Sequence, residues 1–431
     1  MVQTVPAYLT LCNNHCIKLL CEQKTTLNLA VCHFFANFAC LKWYNITIQM
    51  SAIRIKKVET KKDLKTFVDF HYDLYKGSSY DVPNLFSDDM FTLSKDKNAA
   101  FDFCEAEYYL AYKDGKLAGR IAAIINHKAN QKWDKKDVRF GWVDFIDDID
   151  VSRALFQAVA DYGKSKGMRS MVGPLGFTDM DPEGMLTWGF DKLGTMPTIY
   201  NYPYYPQHME KMGGWSVDNT YVEYYMTVPQ AVPDKYTKIA KLVEDRYNLH
   251  VMKITAKDVR EGVITQQIFQ LINDTYSELY GYSSLTQKQI DQYVKMYFPI
   301  LDLSLVTCIV DGNKGNKLAG VGITMPSLSR ALQKCRRGRL LPFGWWHLLR
   351  AIKFHHTEGV DLLLIGFLPE YRAKGANALL FADLIPRYIK YGFKWGETQV
   401  EMESNEGVQG QWAPLNPVNH KRRKCYRKPI A

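Results

Sequence analysis

Three groups of side chains in this sequence could do chemistry. The first lies in LPEYRAKGANALL, where an apolar strand, Asp361 to Phe367, runs into Arg372, Gly375 and then a long apolar helix. A helix that starts this way offers unpaired N–H groups and a positive dipole end to an anion such as two linked phosphates. Gly375 lets a phosphate come close to the backbone, where a Cβ would collide. The second group is Glu401 and Glu403, which alternate with Met402 and so share one face of a strand. On a cleft-lining face either carboxylate is placed as a general base; on a solvated face both are ordinary strand surface. The third group is Asp179, Asp181 and Glu183, suited to a cationic amine, followed by Tyr200, Asn201, Tyr202 and Tyr204. Those four either line a channel for an acceptor or pack a rigid loop.

Each group needs firm elements beneath it, and the sequence supplies a set of them twice. IRIKKVETKKDLKTFVDFHYDLYKG is echoed by HVMKITAKDVREGVITQQIFQLINDTYSELYG, a strand and then a helix. Alternating apolar residues around Asp114-Gly115, and again around Asp311-Gly312, predict two hairpins. FGWVDFIDDI and DLLLIGFLP read as strands, each followed by an amphipathic helix. RSMVGPLGF and GETQVEMES follow as strands, with NTYVEYYMTV and HKRRKCYRK closing each copy. HKRRKCYRK reads as an edge or closing strand with a solvated cationic face. The prolines of TVPQAVPDKY fit a connector. The organisation is therefore α+β, in two units spanning 51–228 and 229–431, each a mixed, mostly antiparallel sheet flanked by helices. In the first unit the counterpart of the glycine turn, DFIDDIDVSRALFQAV, has no glycine and carries Asp147, Asp148 and Asp150. Charge repulsion disfavours an anion there, so binding is expected in the second unit alone.

The bounds agree with folded domains. The chain has 431 residues, 47% hydrophobic and 23% charged, which excludes extensive disorder and a polytopic membrane protein. A net charge of +10 favours anionic partners. Five of nine cysteines crowd the first fifty residues and the rest are scattered, the pattern of a reduced, cytoplasmic chain. Cys12, His15 and Cys16 lack a second ligand pair, so no metal is expected. The 1–50 leader differs in texture, and the domain is expected to start near Met50, the leader being non-native or disordered.

The order strand, helix, hairpin, strand, helix, strand, helix, strand resembles the GNAT superfamily of acyl-CoA-dependent N-acetyltransferases, duplicated in one chain. LPEYRAKGANALL is similar to that family's acyl-CoA loop: Arg372 and Gly375 match, and Asn377 stands where a small residue is usual. The stretches NHK and PFGWWHLL are similar to those of uncharacterised bacterial GNAT-like proteins. The resemblance implies acetyl-CoA or another acyl-CoA as co-substrate, held by Phe367, Leu368, Arg372, Ala373, Lys374, Gly375, Ala376, Asn377 and Asn405. It implies transfer to a small-molecule or peptide amine. Trp412 occupies the place of the family's proton-donating Tyr, leaving Glu401 and Glu403 as substitutes and Tyr388 and Tyr391 as packing residues. Two alternatives stand beside this reading, a Fem-type transferase drawing on aminoacyl-tRNA and a non-catalytic acyl-CoA-binding module.

One insert, 326–358, has no counterpart in the family. From Arg330 to His356 it carries seven Lys or Arg and no acid, interleaved with Leu340, Leu341, Phe343, Trp345, Trp346, Leu348 and Leu349. It could dock on an anionic membrane surface, cover a long acyl chain or the adenine of CoA, contact RNA, or pack between the units.

Overall fold

The computed structural model describes residues 53–372 and 374–430. The leader, with Cys12, His15 and Cys16, lies outside the described residues, as does Ala373.

The period-two patterns form fourteen strands of one sheet. β1 (Ile53–Lys57), β2 (Cys104–Lys113), β3 (Lys116–Asn126), β4 (Asp137–Phe145) and β5 (Ser170–Gly173) lie side by side, with only β4 and β5 parallel. After β6 (Met185–Trp188) and β7 (Ser216–Thr227) the plan repeats with β8 (Leu249–Met252), β9 (Val306–Asp311), β10 (Lys317–Pro326), β11 (Gly359–Phe367) and β12 (Trp395–Thr398). In this second set β11 and β12 are the parallel pair. β13 (Glu401–Met402) and β14 (Val418–Pro429) complete the sheet. The first hairpin turns as its residues require, Asp114 and Gly115 having φ of 51° and 80°.

Across the middle the order is β5-β14-β7-β12. Each copy's closing strand is seated in the other copy, β14 against β5 and β7 against β12. The sheet thus runs unbroken past position 228. β14 is not the edge strand its charges suggest: it is paired on both sides, and Lys421 and Arg423 are each 1% exposed. The reason is compensation from distant strands. The Lys421 ammonium lies 2.9 Å from Glu223 on β7 and also pairs with Glu397 on β12, and Arg423 Nε lies 2.5 Å from Glu223.

The parallel pairs set the site. β11 and β12 pair only from Gly359↔Trp395 to Leu362↔Thr398. Beyond Leu362, β11 runs on to Phe367 with β10 on one side and, among the described strands, none on the other. In the first copy the matching gap past Arg139↔Val172 is filled. Leu175 N–H donates to Phe140 O at 2.8 Å, and a Cβ on Gly141 would stand 2.5 Å from Leu175 O.

Asp361 sits in β11 opposite Glu397 and is fully buried. Burial, reinforced by Glu397, pushes its carboxyl from 3.8 up to about 8. The folded chain therefore keeps a proton that the unfolded chain releases above about pH 4. Stability contributed by this group falls as pH rises from about 4 to about 8. Asp361→Asn, which copies the protonated acid, is expected to gain stability over the parent through that window. Urea midpoints at pH 5 and pH 8 check it; a difference that does not widen with pH rejects the idea.

Candidate functional site

The splay of β11 from β12 leaves a cleft of about 1020 Å³. Leu362–Phe367 of β11 form one wall. An apolar wall faces it, built by Phe269 of the Val263–Tyr276 helix, Tyr293 and Tyr297 of the Gln287–Tyr297 helix, and Phe298 and Leu301 beyond. The helical spacing of Ile264, Ile268, Leu271 and Ile272 seats the first of these helices on the core, and a Thr286–Gln289 capping box starts the second. Asp179, Asp181, Glu183 and Tyr221 come from the first copy.

At one end stands the glycine turn. Tyr371 pins it by donating to Asp311 at 2.7 Å. Arg372 is exposed, lines the cleft, and donates to Phe367 O at 3.0 Å and Thr275 O at 3.3 Å. Asn377 also lines the cleft and opens the Asn377–Tyr391 helix, whose N-terminus no side chain caps, although Ala378 N–H donates to Gly375 O at 2.9 Å and Leu379 N–H to Ala376 O at 3.2 Å, so these two amides are not the unpaired donors the sequence predicts. Its first-copy counterpart, the Ile149–Ser165 helix, is capped by Asp148, which accepts from Asp150 N–H at 3.0 Å and Val151 N–H at 3.2 Å. A protein carboxylate there already takes the amides an anion would need. Gly375 has φ of 77°, and its Cβ would stand 2.9 Å from Ile239 Cγ2 on the Asp234–Tyr247 helix. Left-handed backbone beside a packed helix, rather than ligand contact, is the physical reason visible for this glycine. Lys374 lies over the Tyr371 and Tyr247 rings, 4.6 and 5.2 Å from their centroids. Phe367 reaches the cleft, whereas Leu368 and Ala376 are buried in the core.

The two glutamates part company. β13 ends at Met402, so the alternation stops and Glu403 turns out to pair with Arg422 at 2.6 Å. Glu401 lines the cleft, accepting from Trp412 Nε1 at 2.9 Å through one oxygen while the other is buried without a partner. Burial pushes its carboxyl up to about 8, against the opposing pull of the Trp412 hydrogen bond. Asn405 lines the cleft as well, though its side chain also caps the Glu406–Gln409 helix.

Asp179 and its neighbours hold half-buried carboxyls on the opposite side. Burial raises Asp181 to about 6, and burial together with Glu183 holds Asp179 well above the usual carboxylate range. Tyr200, Asn201, Tyr202 and Tyr204 are not part of these walls. Asn201 brackets Leu186, taking its N–H at 2.7 Å and donating to its O at 3.0 Å. Tyr202 and Tyr204 donate to Leu74 O and Phe145 O, and Tyr200 to Phe190 O. Stacked rings and backbone-directed hydroxyls make this run a brace inside the first copy. The apolar wall of 269–301 and the Tyr388 hydroxyl, buried at the cleft without a partner, carry no signal in the sequence beyond ordinary core spacing.

No family model matches the sequence. The chain is 25% identical over 326 residues to a protein of Caulobacter vibrioides named bacterial ceramide synthase, covering 75% of this chain and 82% of that one. It is 24% identical over 385 residues to the Escherichia coli protein YghO, covering 86% and 94%. Among solved structures it is similar to a tandem GNAT protein from the clavulanic acid biosynthesis pathway, with TM-score 0.52, 10% identity, and coverage of 88% of this chain and 99% of that one. A GCN5-related glucosamine N-acetyltransferase region of a fungal multi-domain β-N-acetylglucosaminidase gives the same TM-score and identity over 88% of this chain and 38% of that one. With the splayed parallel strands and the turn beside them, these likenesses give one structural conclusion: the chain has a GNAT-like fold.

Proposed function

We propose that this protein is an acyl-CoA-dependent N-acyltransferase, joining an acyl group to an amine in the cleft beside β11. One observation carries the reading: an uncapped helix start, the free edge of a splayed strand and a buried carboxyl meet in a single cleft. The helix start and Arg372 suit the diphosphate of CoA, and the free edge of β11 suits its extended pantetheine arm. Asp179, Asp181 and Glu183 face the position of an ammonium group, and Glu401 faces its proton. The relative named a bacterial ceramide synthase supports amide formation on a lipid, and the apolar wall of Phe269, Phe298 and Leu301 suits a long hydrocarbon chain better than an acetyl group.

Calorimetry with CoA, acetyl-CoA and palmitoyl-CoA tests the donor. Micromolar binding is expected, tightest for the long chain. Arg372→Glu is expected to weaken it at least about tenfold, because a carboxylate replaces the exposed cation that lines the cleft at the helix start. Arg372→Gln removes the cation without adding a carboxylate, and the gap between the two variants isolates repulsion. No binding at saturating ligand overturns the assignment.

A further inference from the structure

Among the described residues fifteen large apolar side chains are exposed, and six of them fall between Leu340 and Phe354. Leu341 is 76% exposed, Phe343 69% and Phe354 60%, with Leu340, Trp345 and Trp346 between 40% and 48%. The segment is nevertheless firmly seated. Leu348 and Ala351 of the Gly344–Phe354 helix are buried, and Arg337 and Arg339 hold Asp69 on the Lys61–Leu74 helix at 3.1 and 3.0 Å. A packed interdomain helix would have turned its aromatic side chains inward, and this one does the reverse.

Charge says what the apolar face meets. Arg330, Lys334, Arg336, Arg350 and Lys353 are exposed around it, and no acid occurs from Arg330 to His356. No described helix is long and apolar enough to cross a membrane. Aromatic side chains with Arg and Lys at their flanks match the boundary between acyl chains and phosphates. The segment ends beside the cleft's apolar wall: His355 stacks on Tyr391 at 3.8 Å and lies 3.0 Å from Asp302, next in sequence to Leu301.

We propose that the segment Arg330–Phe354 docks this protein on an anionic lipid bilayer, its aromatic and leucine side chains entering the headgroup boundary and its five exposed cations facing lipid phosphates. This surface stands independently of the acyl-transfer reading.

Flotation of the full chain with vesicles of phosphatidylcholine alone, and of phosphatidylcholine and phosphatidylglycerol in equal parts, tests it. Binding to the anionic vesicles, weakened by salt, is expected. Phe343→Ser/Trp345→Ser/Phe354→Ser is expected to lower it about tenfold by removing inserted apolar area. Arg350→Glu/Lys353→Glu is expected to lower it as much and to abolish the preference for phosphatidylglycerol. Both sets alter exposed side chains, so unchanged urea midpoints confirm folding. Binding that survives both sets, absence of binding to either vesicle, or a solution dimer that the aromatic set dissolves overturns the proposal.

Discussion

Glu401→Gln is expected to lower kcat/KM for amine acylation by about a hundredfold or more, with substrate binding little changed. The attacking nitrogen must lose a proton as it forms the amide bond and the thiolate of CoA departs. Glu401 lines the cleft, and one of its carboxyl oxygens is buried there without a hydrogen-bond partner. Only its ionised form can accept the proton. Since burial raises this carboxyl to about 8, kcat/KM should climb with pH until about 8 and then level. In Glu401→Gln that limb should vanish from the profile. Trp412→Phe gives a second reading of the same group. The Trp412 N–H favours the charged carboxylate, so its loss should move the limb to higher pH while leaving the plateau rate nearly intact. A Glu401→Gln enzyme within about threefold of the parent, with its pH limb in place, removes Glu401 from the chemistry.

Much of the fold was legible because it is local. Period-two runs around Asp114-Gly115 and Asp311-Gly312 become β2–β3 and β9–β10, and the acid-rich counterpart of the glycine turn becomes a helix capped by its own Asp148. The exchange of closing strands was not legible, because nothing near Lys421 or Arg423 announces partners at Glu223 and Glu397. Within the site, the turn at Arg372–Asn377 could be placed from its neighbours in sequence. Glu401 and Glu403 could not be told apart, since their difference lies in where β13 stops. The tyrosines from Tyr200 to Tyr204 misled for the opposite reason: an aromatic run reads alike whether it lines a cleft or braces a core, and only the carbonyls of Leu74, Phe145 and Phe190 decide it.

Lys421→Met is expected to cost about 3–5 kcal/mol, a large share of the roughly 5–15 kcal/mol that holds a domain folded. Burial alone lowers the affinity of this ammonium for its proton, but Glu223 and Glu397 overcome it and keep the group charged. Burial likewise pushes Glu223 up, and Arg423 and Lys421 hold it below the usual range. Removing the lysine leaves Glu397 with only His420, 3.1 Å away, and leaves Glu223 with Arg423 alone. The penalty is that of an uncompensated charge in a place water cannot reach, not the loss of a surface pair. Lys421→Met/Glu397→Gln should therefore be more stable than Lys421→Met, because taking away both charges costs less than stranding one. The same side chain donates to Leu193 O at 3.1 Å and Arg423 donates to Ile199 O, so the charges also fasten β14 to the first copy. Urea midpoints of the parent, Lys421→Met, Glu397→Gln and the double variant measure the cycle. A loss below about 1 kcal/mol for Lys421→Met is the value of a solvated pair, and it would contradict a strand exchanged into the centre of the sheet.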